Sequence, residues 1–184
     1  VAHIPLRVES VSGDTSDANA YGTGLGPSRR VILWDTLLDG RFSDAAERVV
    51  VAHEIAHHSS RHLAKGLAWF ALFALPAAWI LMRVTRRRGG MGAAEAVPLA
   101  LLTVAAIQLA ALPFQSAISR SMETEADWKA LTSTRDPDGA EELFVGFAQT
   151  GLGDPDPPAW QHLLLDTHPT LAQRVSFARA WQQR

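Results

Sequence analysis

The chain has 184 residues, a formal net charge of −2 and 47% apolar residues, which is one domain's worth of core with no basic excess for a nucleic-acid footprint. It contains no cysteine, which excludes disulfides, thiolate metal ligands and a cysteine nucleophile and leaves any metal to His, Asp and Glu. No methionine and no charged-then-apolar leader opens it, so it reads as a piece of something longer.

Residues 6–11, 19–21 and 31–34 have the composition of short strands, and the glycine-rich run 22–28 reads as the turn before the last of them. The spacing of those glycines is not that of a phosphate-binding loop, and a strand rather than a helix follows. Residues 35–41 connect to a helix capped by Ser43 or Asp44, with Asp44 and Glu47 in its first turn, where the helix dipole favours carboxylates. That helix carries His53-Glu54-Ile55-Ala56-His57 and is predicted to run on toward His62. Positions four apart share a helix face, so His53 and His57 can grip one cation. Glu54, about 100° round from His53, can reach a water beside the metal without entering the same shell, which suits a general base. This is the logic of a zinc peptidase. His58 and His62 repeat the spacing without a glutamate after the first histidine, and read as helix-face histidines or as supports behind the site.

Two uncharged runs follow, 17 residues at 66–82 and 23 at 96–118. They make about 26 and 34 Å of helix, against a hydrocarbon layer of about 30 Å. Both read as transmembrane helices. Lys65 and Arg83 flank the first where basic side chains can snorkel, and Trp69 and Trp79 sit near its ends as interfacial aromatics do. The alternative is a buried helical hairpin in a soluble protein. Pro76 and Pro113 predict kinks, and Gln108 and Gln115 are expected to face protein or a wet cavity rather than lipid.

Residues 119–133 are helical in pattern and bring Glu123, Glu125 and Asp127. A hairpin returns the chain to the surface it left, so the third ligand that a catalytic zinc requires can come from here. Glu123 and Asp127 share a face, whereas Glu125 lies about 200° round from Glu123. Residues 138–149 form an amphipathic helix, 151–158 a stiff loop and 171–181 a closing helix. Pro169 is expected to start that last helix, with His168 just before it. The elements together predict a mainly α fold with a small β-sheet (α+β), a zincin-like catalytic region with a two-helix transmembrane hairpin inserted between zinc ligands. Residues 1–184 are one peptidase region: a small β element (1–42), the zinc helix (43–65), the hairpin (66–118), and the third-ligand helix with the C-terminal cleft (119–184).

The His53–His57 motif, followed after two spans by Ser119-Arg120-x-x-Glu123-x-x-Ala126-Asp127, resembles the integral-membrane zinc peptidases of the CAAX prenyl protease type I and HtpX family. Residues 19–38 are more similar to the prenyl protease branch, and Thr167-His168-Pro169 with Arg174 also matches the family's pattern. The resemblance implies that Glu123 is the third zinc ligand and that Asp127 orients a zinc histidine. It further implies that His168 and Arg174 line the cleft and steady the tetrahedral intermediate, and that a strand at Asn19, Ala20 and Tyr21 offers an edge to an extended peptide. Family members of that branch carry several more membrane helices upstream.

The expectation is a membrane-embedded metalloendopeptidase with Zn2+ as cofactor, hydrolysing membrane-associated or prenylated proteins. Its partners are a peptide or protein substrate and membrane lipid, and not nucleic acid. Glu54 takes a proton from water and later hands it to the leaving amine. An inactive membrane scaffold is the alternative, against which the intact Glu54 argues. A metal-transporting element would need ionisable residues inside the spans, and 66–82 has none. Orientation divides the signals. Arg83, Arg86, Arg87 and Arg88 against Glu95 would put the inter-helix loop in the cytoplasm, while Arg61, Lys65 and Arg120 flank the other side. The HtpX resemblance decides for a cell-membrane protein with a cytosolic catalytic face.

Overall fold

The computed structural model describes residues 4–151 and 153–183, so the first residues of the β element and Leu152 of the expected stiff loop lie outside the described residues. The chain is mainly helical with a small sheet. Strand β3 (Arg30–Trp34) is central, parallel to β1 (Leu6–Glu9) and antiparallel to β2 (Ala20–Thr23). Val31, Ile32 and Leu33 are all buried, which is why β3 reads as a continuous apolar run rather than an alternating one. Gly22 and Thr23, read from sequence as turn, prolong β2, and β2 is left as an edge strand. Just after β3, Asp35 accepts hydrogen bonds from the Val11 and Ser12 amides and from both serine hydroxyls of residues 10 and 12, which fastens the β1–β2 connection to the sheet.

Helix α1 (Asp44–Ser59) starts at Ser43, whose Oγ accepts from Ala46 N at 3.3 Å. Glu142 of α4 (Pro137–Thr150) accepts in turn from Ser43 N and Oγ at 2.8 and 2.6 Å, so the cap is itself clamped by tertiary structure. Ala46, Val49, Val50 and His53 form one buried stripe at helical spacing, so the stripe that makes the core leads directly into the metal-binding motif. Contrary to the predicted continuation toward His62, α1 stops at Ser59. Arg61 adopts the left-handed conformation at φ 55°, and α2 (His62–Thr85) sets off from it in a new direction. Nothing in the local residue types marks this break, because neither glycine nor proline occurs there.

Helix α3 (Val97–Thr134) is a single 38-residue rod, where the sequence predicts a span followed by a separate helix. Its continuity carries Glu123 about 7.5 Å beyond the end of the expected span at 118. Helices α2 and α3 lie antiparallel: Lys65 Nζ meets Glu125 at 2.9 Å near one end and the rings of Phe73 and Phe114 are 6.4 Å apart further along. Pro76 and Pro113 are accommodated within uninterrupted helices. Both helices are long and apolar enough to cross a membrane, and the most apolar window of each is 0% buried, which is the reverse of a soluble protein's buried hairpin. Gln108 is exposed on α3 within these residues, because two paired helices can cover only one face of each other. Gln115, also exposed, borders the groove between α2 and α3.

Beyond α3, α4 and α6 (Leu171–Gln182) pack together and supply Leu143, Phe144 and Ala178 to the core shared with α1. Thr170 caps α6, its Oγ1 accepting from Gln173 N while Gln173 Oε1 accepts from Thr170 N. The helix therefore starts two residues later than Pro169 predicts. A short helix, α5 (Ala159–Leu164), lies beside α3 between these two.

Candidate metal centre

His53 and Glu123 are buried where α1 crosses α3, an approach allowed by Ala126 and Ala130. His53 Nε2 and His57 Nε2 are 3.0 Å apart. Glu123 presents Oε2 at 3.2 Å from His53 Nε2 and Oε1 at 3.4 Å from His57 Nε2. Oε2 is buried and accepts no hydrogen bond, an expensive condition for a carboxylate oxygen unless a cation completes its shell. Two imidazole nitrogens and an orphaned carboxylate oxygen, all within 4.8 Å of one another, fit a divalent metal, and these three residues could hold it. The two nitrogen donors suit a transition metal better than calcium or magnesium, which prefer all-oxygen sites.

Behind His53 stands Asp127, with Oδ1 2.8 Å from His53 Nδ1. The two are close but not aligned as a hydrogen bond, so the contact is chiefly electrostatic. Asp127 is held by Arg174, whose Nε and Nη2 donate to its two oxygens at 2.9 and 2.6 Å. Arg174 is buried, with its guanidinium carbon 4.2 Å from the centre of the Phe144 ring. It also borders the cleft, lining the smaller cavity together with Glu54 and His168. His168 stands at the rim, largely exposed, with Nε2 3.4 Å from Glu123 Oε2.

Burial pulls the His53 imidazole down, but its contacts with Asp127 and Glu123 outweigh this and push it up to about 9. His57 is pushed down to about 4 by burial and by the neighbouring His53 charge. Glu54 is buried, which raises its carboxyl above the ordinary range against the opposing pull of His53. A carboxylate so raised is a better proton acceptor than an exposed one.

Strand β2 runs past Glu54. Trp34 N donates to Asn19 O at 3.0 Å, and with Tyr21 opposite Ile32 the antiparallel alternation turns the peptide groups of Ala20 and Gly22 outward. The outward Ala20 amide is taken by Asn19 Oδ1 at 2.8 Å. The Gly22 amide points to the Glu54 carboxylate, so the edge expected at Asn19, Ala20 and Tyr21 is presented by the outward carbonyls of Ala20 and Gly22, while the Tyr21 peptide is turned to β3 and its hydroxyl donates to Glu9. A Cβ at position 22 would lie 2.9 Å from His58 Nε2 and 3.4 Å from Glu54 Oε2, so glycine permits this close approach of strand to helix. Two cavities of about 230 and 500 Å3 meet here, both bordered by Ala20, His53, Glu54, Glu123 and His168.

The sequence matches peptidase family M48 over residues 2–182. The chain belongs to that family. It is 31% identical over 179 residues to the uncharacterized metalloprotease YhfN of Bacillus subtilis (strain 168), an alignment covering 92% of this chain and 42% of that protein. A protease HtpX homolog of Ligilactobacillus salivarius (strain UCC118) is 27% identical over 203 residues, covering 95% of this chain and 67% of the relative. The fold is that of S. mikatae Ste24p, whose crystal structure superposes with a TM-score of 0.77 at 23% identity over 92% of this chain and 43% of that one. The chain thus spans less than half of YhfN and of Ste24p. The resemblance drawn from the motifs stands.

Two neighbours of this centre have no partner legible in the sequence, although His62 reads there as a possible support behind the site. His62 Nδ1 lies 3.0 Å from His57 Nδ1, and His62 Nε2 lies 3.2 Å from Glu125 Oε2. Glu125 accepts in addition from Lys65 and Lys129 at 2.9 and 2.7 Å. No local signal points to these contacts, because they exist only through the break between α1 and α2.

Proposed function

We propose that this chain is the catalytic region of a membrane-embedded zinc metalloendopeptidase acting on membrane-associated proteins. The observation that carries the reading is the convergence of His53 Nε2, His57 Nε2 and the orphaned Glu123 oxygen, with buried Glu54 next along the helix. Zinc held there would act as a Lewis acid toward a substrate carbonyl and make water more acidic. Glu54 accepts the proton of the attacking water and returns it to the leaving amine. Asp127, braced by Arg174, holds the His53 ring. His168 at the rim can donate to the oxygen on which charge develops. An extended substrate donates its amides to the outward carbonyls of β2, leaving its scissile bond over Glu54.

A membrane-associated substrate is supported by the two exposed apolar helices and by the groove between them. Gly66, Ser119 and Met122 border both that groove and the larger cavity, so an apolar part of the substrate can sit beside the reacting bond. Prenylated proteins belong to this class, and offering prenylated and unmodified substrates to the full-length protein distinguishes them. The test of the reading pairs metal analysis with mass spectrometry of cleaved membrane proteins. Wild type carries about one zinc and cleaves, whereas Glu54→Gln keeps the zinc and loses about 10²–10⁴-fold in rate. Near-normal cleavage by Glu54→Gln sinks the mechanism, and zinc-loaded wild type that cleaves nothing indicates a scaffold. A cytosolic catalytic face is part of the reading: cysteine placed at Gly90 is then labelled from outside intact cells, and protection until lysis reverses the orientation.

A further inference from the structure

Helix α5 is inside out. Trp160, Leu163 and Leu164 fall at helical spacing on one face and are 62, 56 and 37% exposed, and Leu165 beyond the helix is 54% exposed. Gln161 and His162, the polar residues of the same turns, are the ones turned partly inward. A helix bordered by water would show the opposite pattern. Its position is fixed at both edges by α3. Ser116 Oγ, within the uncharged run, donates to Leu164 O at 3.1 Å. Arg120 Nη1, just past that run, donates to His162 O and Asp166 O at 2.8 and 2.7 Å. Leu164 is thereby held level with the last turn of the span, and Leu109 of α3, seven residues before Ser116 and so on the same helix face, is exposed and carries the apolar surface toward the middle of the span.

We propose that α5 is a membrane-interface anchor, lying in the boundary between headgroups and acyl chains on the catalytic side with Trp160, Leu163, Leu164 and Leu165 in lipid. Lipid is favoured as the occupant because the face continues the exposed surface of α3 and lies at the depth where indole rings and short amphipathic helices settle. The segment leads directly into His168, so the anchor would set the height of the cleft rim above the bilayer. This proposal rests on the membrane reading of α2 and α3.

The 184 residues contain no cysteine, so single cysteines report cleanly in the full-length protein once any others are removed. Leu163→Cys, Leu109→Cys and Thr132→Cys, each labelled with an environment-sensitive fluorophore, are reconstituted into phosphatidylcholine vesicles containing lipids spin-labelled at a shallow acyl carbon. Leu109 tests the span and Thr132 the aqueous end of α3. The expected result is quenching of the label at 163 several-fold above that at 132. Quenching at 109 with none at 163 beyond that at 132 overturns the anchor while leaving the spans in place. Absence of quenching at 109 with deep as well as shallow labels overturns the membrane reading and the anchor with it.

Discussion

His57 and His62 face each other nitrogen to nitrogen, with 3.0 Å between their Nδ1 atoms. His57 turns its Nε2 toward His53 and Glu123, so when that nitrogen binds a metal the proton resides on Nδ1. His62 must then accept at Nδ1 and carry its own proton on Nε2, facing Glu125. Partners of this kind fix the tautomer and ring angle of a metal-binding histidine, and losing one typically costs 10–100-fold in affinity. His62→Ala is expected to weaken zinc retention by about that factor, and Glu125→Ala by less, in competition with a chromophoric chelator. Unchanged affinity in His62→Ala would remove it from the site.

Arg174 and Asp127 form a buried pair with both carboxylate oxygens engaged. Removing one partner of such a pair leaves an uncompensated charge and costs about 3–5 kcal/mol. Arg174→Met should lower the thermal midpoint of the detergent-solubilised protein sharply. Arg174→Lys should recover only part of the loss, because an ammonium cannot reproduce the two parallel contacts of a guanidinium. Full recovery by lysine would show that charge alone matters here.

His168 is predicted to act on rate rather than on metal binding, because it is exposed at the rim with its Nε2 3.4 Å from Glu123 Oε2. Loss of one donor to a developing oxyanion typically costs about 10²–10³ in kcat. His168→Ala should fall in kcat by about that range with full zinc occupancy. A variant that loses zinc instead would make His168 a structural support of the ligands.

The two histidines of the candidate metal centre titrate in opposite directions in the metal-free protein. His53, raised to about 9, contributes stability that is fully present below the unfolded value near 6.5 and is lost as pH rises through 9. His57, lowered to about 4, opposes folding as pH falls from about 6.5 toward 4, because the unfolded chain takes up the proton first. Chelator-stripped protein should therefore melt highest near neutrality. Zinc must displace the His53 proton, so its apparent affinity should rise about tenfold per pH unit through the neutral range and level off above 9. A pH-independent affinity between 6 and 8 would contradict the charged state of His53.

The features legible in the sequence are those set within a few residues. The i, i+4 geometry of a helix places His53 and His57 on one face whatever surrounds them, and the same rule separates Glu123 and Asp127 from Glu125. Runs of 17 and 23 uncharged residues read as spans because length against bilayer thickness is a one-dimensional test. What tertiary structure alone decides involves directions between elements. The left-handed Arg61 turns the chain so that His62 meets His57 instead of continuing the helix past it. The continuous rod of α3 sets the height of Glu123, and α6 delivers Arg174 to Asp127 from 47 residues away. Local residue preference cannot encode these contacts, since each depends on how separately formed helices pack across distant parts of the chain. The same holds for Gln108, which lies on the outer face because α3 meets α2 along one side only.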